Sequence, residues 1–530
     1  MGILNKYKNN SHTIYYVLLV LLTSSLSLSK FMIGICQVLL LLNWFCEGGF
    51  KQKIQIFKQR KGLQAFILIY LLLLVWFAFT NDFKLGLHEL NFKLPFLELT
   101  LIIGTSPALS RKQIDKLLGF FVTSVLVASV ISALSIFNIF QHHLNDYEDA
   151  RDSSLFIHHI RFGILVAIAI IIQLYWIIIG ILNNNWKKLI LLLPIAWLIF
   201  TLVFLRALTG ISIIIGSSTI LLAIYLFKMK STVVRLLVLI CIVAIPALSF
   251  LYIRNAYTRY YSINKVDFLK LANYTPSGNT YLHDTVSKTL ENGHYTSIYI
   301  CNKELRKEWT LRSNVSIDSL DKKKQQLYNT LLRYMTSKGL RKDSAGIAAL
   351  TKQDVKNIEN GLANYIFANN SSLYPRIYEV IWEIDVFNKT KDANGHSLTQ
   401  RYMYYKISID LIQEYFWLGV GTGDTRTTYD KYYLTHESGL QPRFQHESHN
   451  QFMRFLLEFG IVGFAILMFA FIYPAFSEKK WNDFYFLTIF IITALSFLNE
   501  DAIESQVGTM MTALFFTLFL FGSNSTEENK

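Results

Sequence analysis

Apolar stretches of about 20 residues recur along both ends of this 530-residue chain, and they constrain its fold more than any other feature. An α-helix needs roughly 17–25 predominantly apolar residues to cross a bilayer. The composition agrees, because 52% of the residues are hydrophobic and 17% are charged, whereas a soluble domain carries about 25% charged residues. The chain is therefore predicted to be an all-α polytopic membrane protein.

About twelve transmembrane helices are predicted from these stretches. The second is short, and the fourth contains Lys93 and Pro95. The predicted spans cover residues 12–28, 31–46, 62–80, 90–107, 116–140, 160–182, 187–205, 207–227, 232–253, 452–474, 483–499 and 506–522. Three regions follow from them, namely transmembrane helices 1–9 in residues 1–253, a polar loop domain in residues 254–450, and helices 10–12 in residues 451–530.

The charges of the short loops predict the orientation of the chain. One set of loops is rich in Lys and Arg, as in residues 51–61, whereas the alternate set is poor in Lys or acidic, as in residues 499–505. Because basic loops tend to remain cytoplasmic, both termini are predicted to be cytoplasmic and residues 254–450 to lie outside. The same loops explain many of the basic residues behind the net charge of +14, so no nucleic-acid partner is predicted.

The outer domain is predicted to be mainly helical. Residues 322–340 have apolar residues at helical spacing, and Gly339 is a plausible C-terminal stop for that helix. Residues 351–367, 371–387 and 399–416 show the same pattern. We therefore expect a helical insert with connecting loops.

Arginines, histidines and carboxylates from distant parts of the chain are predicted to meet on this outer side. Ionisable residues near spans are costly to bury, which makes them candidates for a function. Each has a structural interpretation as well, because an Arg at the end of a span often anchors the helix with a snorkelling side chain. The candidates are His159, Arg161, Arg206, Arg401, His446, His449, Asn450, Glu500, Asp501 and Glu504.

Other kinds of site fit these residues less well. The segment from His446 to His449 is one residue shorter than the zinc-binding His-Glu-x-x-His pattern, which places both histidines on one helix face. GVGTGD at residues 419–424 is rich in glycine, but no Gly-Lys-Ser/Thr follows it, so a nucleotide-binding loop is not predicted. The sequence therefore predicts no metal ion and no cofactor.

Several segments together resemble the O-antigen ligase and O-antigen polymerase superfamily, and most closely its Bacteroidota branch of O-antigen ligase-like proteins. The most specific is HNQFMRFLLEFGIVG at residues 449–463, where a His-Asn pair introduces an apolar helix. These segments do not separate a ligase from a polymerase. The others are HIRFGI at 159–164, LTG at 208–210, TLLRYMTSKGLRKDSAG at 330–346, NGHSLTQRYMYYK at 394–406 leading to GVGTGD, and FLNEDAIESQVG at 497–508.

The resemblance implies a GT-C-like, metal-independent glycosyltransferase of the cell inner membrane, with residues 254–450 in the periplasm. Members of the family take a glycan from an undecaprenyl diphosphate carrier. A ligase passes the glycan to lipid A–core in lipopolysaccharide biosynthesis, and a polymerase passes it to another carrier-linked repeat of a surface polysaccharide.

The resemblance also implies roles for individual residues. By position, His449 matches the family histidine that acts at the acceptor, and Arg401 matches a loop arginine that holds the diphosphate. Many relatives carry an Arg immediately before Thr-Gly, where this chain has Leu208 and places Arg206 two residues earlier. Arg206 and Arg161 complete the predicted diphosphate-binding set. The remaining predicted acceptor contacts or supporting residues are His159, Asn450, Glu500, Asp501 and Glu504.

These roles are chemically reasonable. The planar guanidinium of Arg can bind two phosphate oxygens and stays charged, and a histidine with a pKa of about 6.5 can take a proton from a sugar hydroxyl near neutral pH. A lipid-linked sugar transporter is a weaker alternative, since transporters usually bind their substrates near the bilayer midplane. A non-catalytic scaffold would not need the convergent arginines.

Overall fold

A computed structural model describes residues 2–136, 156–179, 185–226, 231–368 and 372–523. The C-terminal ends of the predicted spans 116–140, 160–182 and 207–227 lie outside the described residues. Helices dominate the part that is described. Its two short strands, β1 (Leu290–Glu291) and β2 (His294–Tyr295), form an antiparallel hairpin.

The described residues contain twenty-one α-helices, numbered in chain order. The first eleven are α1 (Gly2–Leu28), α2 (Lys30–Glu47), α3 (Phe50–Gln59), α4 (Lys61–Trp76), α5 (Phe83–Phe92), α6 (Pro95–Thr105), α7 (Arg111–Ile136), α8 (His159–Ile179), α9 (Asn185–Phe204), α10 (Leu208–Leu226) and α11 (Thr232–Tyr260). The others are α12 (Asn302–Thr310), α13 (Leu327–Ser337), α14 (Ser344–Ala348), α15 (Lys352–Glu359), α16 (Tyr374–Thr390), α17 (Ser397–Glu414), α18 (Thr425–Thr435), α19 (Gln451–Ser477), α20 (Phe484–Asn499) and α21 (Gln506–Leu520).

The prediction of an all-α polytopic membrane protein is confirmed. Three shorter apolar helices, Ile190–Phe204, Phe484–Asn499 and Gln506–Leu520, coincide with further predicted spans. Within the described residues, eight helices are long and apolar enough to cross a bilayer: Asn10–Leu28, Lys30–Glu47, Lys61–Phe79, Arg111–Leu134, His159–Ile179, Leu208–Leu226, Thr232–Tyr260 and Gln451–Ser477.

The predicted span at residues 90–107 is not a single helix. α5 ends at Phe92, and α6 begins at Pro95, which suits the first turn of a helix because that turn needs no N–H from the residue. Lys93 lies between the two helices with 2% of its side chain exposed and pairs with carboxylates there. A buried charge therefore marks the break. The basic loop at residues 51–61 also differs from expectation, since it contains α3.

The chain forms two compact units, and the first comprises residues 1–243 and 386–530. Its core is rich in aromatic rings that come from different membrane helices. The ring of Phe66 on α4 lies 6.0 Å from Phe471 on α19 and 6.1 Å from Phe516 on α21, measured between centroids. Such ring pairs stabilise packing beyond the apolar area they bury.

The second unit comprises residues 244–385 and has its own apolar core. Trp309, Leu331 and Met335 are fully buried in it. α13 ends as predicted, because Gly339 adopts a φ of 70°, the left-handed conformation that follows many helix ends. α15 begins with a capping box formed by Thr351 and Asp354. The boundaries predicted for a 254–450 insert stay a prediction.

The glycine-rich segment 419–424 connects elements of the first unit, because it contacts α19 at one end and the chain between α4 and α5 at the other. Gly460 interrupts α19 with a φ of 62°, and the segment runs so close to this kink that a Cβ on Gly419 would lie 2.5 Å from the Glu458 backbone. The N–H of Val420 donates to the carbonyl of Leu457 at 2.9 Å. The glycines thus allow a close backbone approach that supplies a hydrogen-bond donor to the kinked helix.

The C-terminal end of segment 419–424 binds the chain between α4 and α5. The Asp424 carboxylate accepts hydrogen bonds from the backbone N–H groups of Asn81 at 2.6 Å and Asp82 at 3.0 Å. The Thr80 hydroxyl donates to the Thr422 carbonyl at 2.7 Å. The GVGTGD segment therefore has a structural role, because its hydrogen bonds join α19 to the chain between α4 and α5.

Candidate active site

His449 lies in the short segment that introduces α19. Its φ of 49° is uncommon for a residue other than glycine. The next residue, Asn450, caps the helix, because its side-chain oxygen accepts hydrogen bonds from the second and third helical N–H groups at 3.0 and 3.1 Å. The Asn450 amide also donates to the carbonyl of Leu498 at 3.1 Å. Asn450 therefore holds His449 against the end of α20.

The loop between α20 and α21 places two carboxylates beside His449. Its Nδ1 lies 3.5 Å from Asp501 Oδ1 and 3.9 Å from Glu500 Oε2. A third of the His449 side chain, 33%, remains exposed, compared with 5% of the Glu500 side chain. The imidazole thus faces acidic groups through one nitrogen and retains an accessible surface.

These charges shift the pKa values of the group. Burial opposes protonation of His449, but the Asp501 and Glu500 carboxylates outweigh it and raise the pKa of the imidazole above its ordinary value. Burial likewise opposes ionisation of Asp501, but the neighbouring His449 outweighs it and lowers the pKa of that carboxyl. Burial raises the pKa of Glu500. His449 and Asp501 therefore each favour the charged form of the other.

His446 differs from His449 in its surroundings. Its ring centroid lies 6.2 Å from that of His449, and α19 begins only at Gln451, so the two histidines do not share a helix. Burial lowers the pKa of His446, and the neighbouring His449 lowers it further. Position and charge therefore distinguish the two histidines, which sequence spacing alone could not do.

Two of the predicted arginines contact residues 500–505 between α20 and α21 or the residue just before them; we call this stretch the carboxylate loop. Arg401 on α17 donates to Glu500 Oε1 at 2.5 Å through Nη2 and to the Asn499 carbonyl at 2.8 Å through Nη1. These contacts use two of the five N–H donors of a guanidinium. Arg161 near the start of α8 donates from Nε to the Ser505 hydroxyl at 2.5 Å. Both cations thus lie on the loop that carries Glu500 and Asp501.

Arg206 and His159 lie on elements that pack against each other. Arg206 occupies the turn between α9 and α10 with a φ of 50°. This turn leads into a close contact between α10 and α8, where a Cβ on Gly163 would lie 3.4 Å from Gly210 Cα. His159 is the first residue of α8, and its ring lies 4.3 Å from that of His158. Arg161, two residues after His159 on α8, contacts the carboxylate loop directly through Ser505.

Glu504 faces a different set of charges. It lies in the non-helical stretch between α20 and α21, so it does not share a helix face with Glu500. Its carboxylate lies 3.1 Å from Lys93 Nζ and 3.1 Å from Arg454 Nε. Gln451 also donates to it at 3.1 Å. Glu504 therefore joins the carboxylate loop to a separate buried network.

Six ionisable side chains around Arg454 and Lys93 form a cluster that we call the ion network, and sequence analysis did not single out Glu89, Arg454 or Glu458. Arg454 contacts Glu447 and lies 3.5 Å from Glu89, and Lys93 lies 2.9 Å from Glu89. Glu458 is fully buried 4.0 Å from Lys93. The members are Glu89, Lys93, Glu447, Arg454, Glu458 and Glu504. Charged residues inside apolar segments were the available sequence signal.

The ion network connects the two segments that carry the candidate site. Through Arg454 it holds Glu447, which is two residues before His449, and Glu504, which is three residues after Asp501. It contains four carboxylates and two cations, so the fully ionised set would have a net charge of 2 − 4 = −2. Both segments are thus bound to the same guanidinium.

The residues around His449 also raise the question of a metal centre. His449, Glu500 and Asp501 offer ligand atoms that all lie within 4.8 Å of one another in the described part of the chain. Histidine and carboxylate ligands suit several divalent metals. The Arg401 guanidinium already contacts Glu500, however, and its charge repels a second cation there. The electrostatics disfavour a metal, and metal independence stays a prediction.

Comparison with known proteins adds one finding. A family model described as O-antigen ligase matches residues 352–468, a segment that includes Arg401, His449 and Arg454. No curated protein matches the chain. The match supports assignment of the chain to the O-antigen ligase superfamily and confirms the resemblance found in the sequence.

Proposed function

We propose that this protein transfers a glycan from an undecaprenyl diphosphate carrier to an acceptor hydroxyl on the periplasmic face of the cell inner membrane, as an O-antigen ligase would. One observation carries the proposal. His449 lies beside Asp501 and Glu500, and the guanidinium of Arg401 contacts the same Glu500. A proton acceptor and a fixed cation are therefore adjacent, and the chain matches the O-antigen ligase model over residues 352–468.

His449 serves the acceptor side of the reaction. The acceptor oxygen attacks the anomeric carbon, its O–H bond breaks, and the proton passes to the imidazole. Because Nδ1 faces Asp501, Nε2 is the atom that takes the proton. The carboxylates of Asp501 and Glu500 then stabilise the imidazolium, as the buried aspartate does in hydrolase triads.

The arginines serve the donor side. As the bond between the anomeric carbon and the diphosphate oxygen breaks, its electron pair leaves with the lipid diphosphate. A guanidinium stabilises that charge and can grip two oxygens at once. Arg401 and Arg161 flank the carboxylate loop, and Arg206 is the third candidate. The further N–H donors of Arg401 allow it to bridge Glu500 and a phosphate.

The ion network supports this arrangement by positioning. Arg454 binds Glu447 and Glu504 on the two segments that bring His449 and Asp501 together. The side chain of Arg454 is 8% exposed, so it is a positioning residue rather than a group that touches substrate.

The proposal includes a partner set and an orientation. The donor keeps its lipid in the bilayer, and the acceptor is lipid A–core or another glycan. Both termini are cytoplasmic and residues 254–450 are periplasmic, as the loop charges predict. A cysteine at Leu340 should react with an impermeant reagent in intact cells, and labelling only after permeabilisation would contradict this orientation.

A surface-polysaccharide polymerase is the second candidate, because it uses the same chemistry on a different acceptor. Gel analysis of lipopolysaccharide from a deletion strain separates the two. Unligated carrier-linked polymer would identify a ligase, and a core bearing one repeat would identify a polymerase. Unchanged lipopolysaccharide and unchanged surface polysaccharide in the deletion strain would contradict both.

A further inference from the structure

A cavity of about 600 Å³ lies within the unit of residues 244–385. It has no residue in common with the His449 site. Its volume falls in the range of about 300–1,000 Å³ that is usual for small-molecule sites. Its lining includes four tyrosines, Tyr252, Tyr334, Tyr365 and Tyr374, and a polar set, Asn255, Arg259, Gln353, Asp354 and Asn357.

The buried part of the lining is held rigidly by hydrogen bonds. The Tyr334 hydroxyl donates to Asp354 at 2.6 Å, and the Asn357 amide donates to that hydroxyl at 3.3 Å. Lys338 donates to the other oxygen of Asp354 at 2.8 Å. Because Tyr334, Asp354 and Asn357 are all buried, this wall of the cavity is pre-formed.

The rim of the cavity presents aromatic rings and planar amides to solvent. Tyr252 and Tyr365 are 43% and 39% exposed. Gln353 on α15 is exposed beside them, and its amide donates to Asn357 at 3.0 Å. The guanidinium of Arg259 lies 4.7 Å from the centroid of the Tyr374 ring and so stacks on it.

Part of the cavity lining belongs to the last turns of α11. α11 begins at Thr232 and contains 29 residues, and about 20 residues suffice to cross the hydrocarbon. Tyr252, Asn255 and Arg259 follow after that length. α11 is therefore long enough to leave the hydrocarbon before it reaches the cavity, and its exposed lining residues are open to a water-soluble ligand.

This combination of groups suits a saccharide better than other ligands. Tyrosine rings offer apolar faces to the C–H faces of a sugar and carry a polar edge, and side-chain amides both donate and accept, as neighbouring hydroxyls require. A polyphosphate would need several cations, yet Arg259 is matched by the acidic Asp354 in the lining. A lipid chain would remove the exposed polar side chains of Asn255 and Gln353 from solvent without offering them hydrogen bonds.

We propose that this cavity is a saccharide-binding site that holds an oligosaccharide portion of the glycan, apart from the His449 centre. The exposed rings of Tyr252 and Tyr365 stack on the sugar rings, and Gln353 and Asn255 bind their hydroxyls. The identity of the sugar as part of the transferred or accepting glycan rests on the proposed function, whereas the binding itself does not.

The test is calorimetric titration of the full-length protein in nanodiscs. The probe is the oligosaccharide released by mild acid from the surface glycolipid of the source cells. Tyr365→Ala and Gln353→Ala should each weaken saturable binding about tenfold, the effect of losing one stacking or hydrogen-bonded contact. Tyr274→Ala is the matched control, because Tyr274 is 65% exposed and is not part of the cavity lining.

A second variant fills the space instead of removing a contact. Ala368→Trp places a large ring at a lining position and should abolish binding, with thermal unfolding as the check on folding. Absence of saturable binding in the wild type would overturn the proposal. Wild-type affinity in Tyr365→Ala, Gln353→Ala and Ala368→Trp would do so equally.

The result is separable from the proposed function. His449→Ala should keep the calorimetric binding while transfer is lost. If the cavity variants lose binding and His449→Ala still transfers glycan at the wild-type rate, the saccharide site stands and the proposed role of His449 fails.

Discussion

His449 combines an unusual backbone conformation with an unusual electrostatic setting. A left-handed φ in a residue other than glycine costs about 1–3 kcal/mol and tends to occur at functional sites. Here the cap made by Asn450 and the hydrogen bond to Leu498 hold the residue in place. The His-Asn motif identified the residue from the sequence. Its partner Asp501 could not be chosen from sequence, because the contact joins segments 52 positions apart (501 − 449).

The first prediction concerns the pH dependence of transfer. A general base must be neutral, so the rate at saturating donor should rise with pH through a pKa above the ordinary value of about 6.5. Asp501→Asn removes the anion that favours the imidazolium and should therefore move the inflection to lower pH. The pH–rate profiles of both proteins measure this, and coincident inflections would contradict the role of Asp501.

The second prediction concerns Arg401. Arg401→Lys keeps the charge but loses the two-pronged grip, so transfer should fall substantially and the donor KM should rise. Arg426→Lys is the matched control, since Arg426 is 44% exposed and forms an exposed pair with Asp430. Steady-state kinetics with a lipid diphosphate donor give both values. Unchanged donor affinity and turnover in Arg401→Lys and Arg401→Ala would refute the assignment.

At the scale of elements, polar interactions decide where helices break and how they meet. α5 and α6 separate at Lys93, and α19 bends at Gly460 where the 419–424 segment lies against it. Long apolar helices could be predicted because their pattern is local. Lys93 and Pro95 were noted in the sequence, but the break between α5 and α6 was not predicted, because Lys93 is stabilised by carboxylates from α19 and from the loop before α21. Such long-range pairing leaves little trace in a local window.

The third prediction concerns the stability of the ion network. Arg454→Met removes a buried guanidinium from the partly buried Glu447 and Glu504, which should cost about 3–5 kcal/mol, as for other broken buried ion pairs. The melting temperature in detergent should fall clearly. Arg426→Met should change it little, because exposed ion pairs contribute about 0–1 kcal/mol. Equal melting temperatures for Arg454→Met and the wild type would show that the network does not hold these segments.

At the scale of the whole molecule, apolar helices surround a small number of ionisable groups that converge from distant parts of the chain. The membrane class and the resemblance to the O-antigen ligase superfamily follow from sequence, since long apolar runs and the His-Asn motif are local patterns. Two features could not be predicted from sequence. One is that residues 386–450 belong to the same unit as the membrane helices, and the other is the tyrosine-lined cavity of the second unit. Both depend on contacts between segments that no periodicity links.

The fourth prediction is that transfer requires no divalent metal. The Arg401 guanidinium contacts Glu500 and its charge disfavours a second cation beside that carboxylate, so the purified protein in excess chelator should keep its rate with a lipid diphosphate donor. Loss of activity that one specific metal restores would favour a centre at His449, Glu500 and Asp501 instead.

The central claim is that His449 takes the proton of the acceptor hydroxyl, and the transfer rate of His449→Ala in nanodiscs tests it most directly. Loss of a general base typically lowers a rate by about 10²–10⁴-fold. His449→Ala should show that loss while it retains its melting temperature and its donor affinity. His446→Ala, the matched control, should lose much less activity. Transfer by His449→Ala at the wild-type rate would contradict the account and place the base elsewhere.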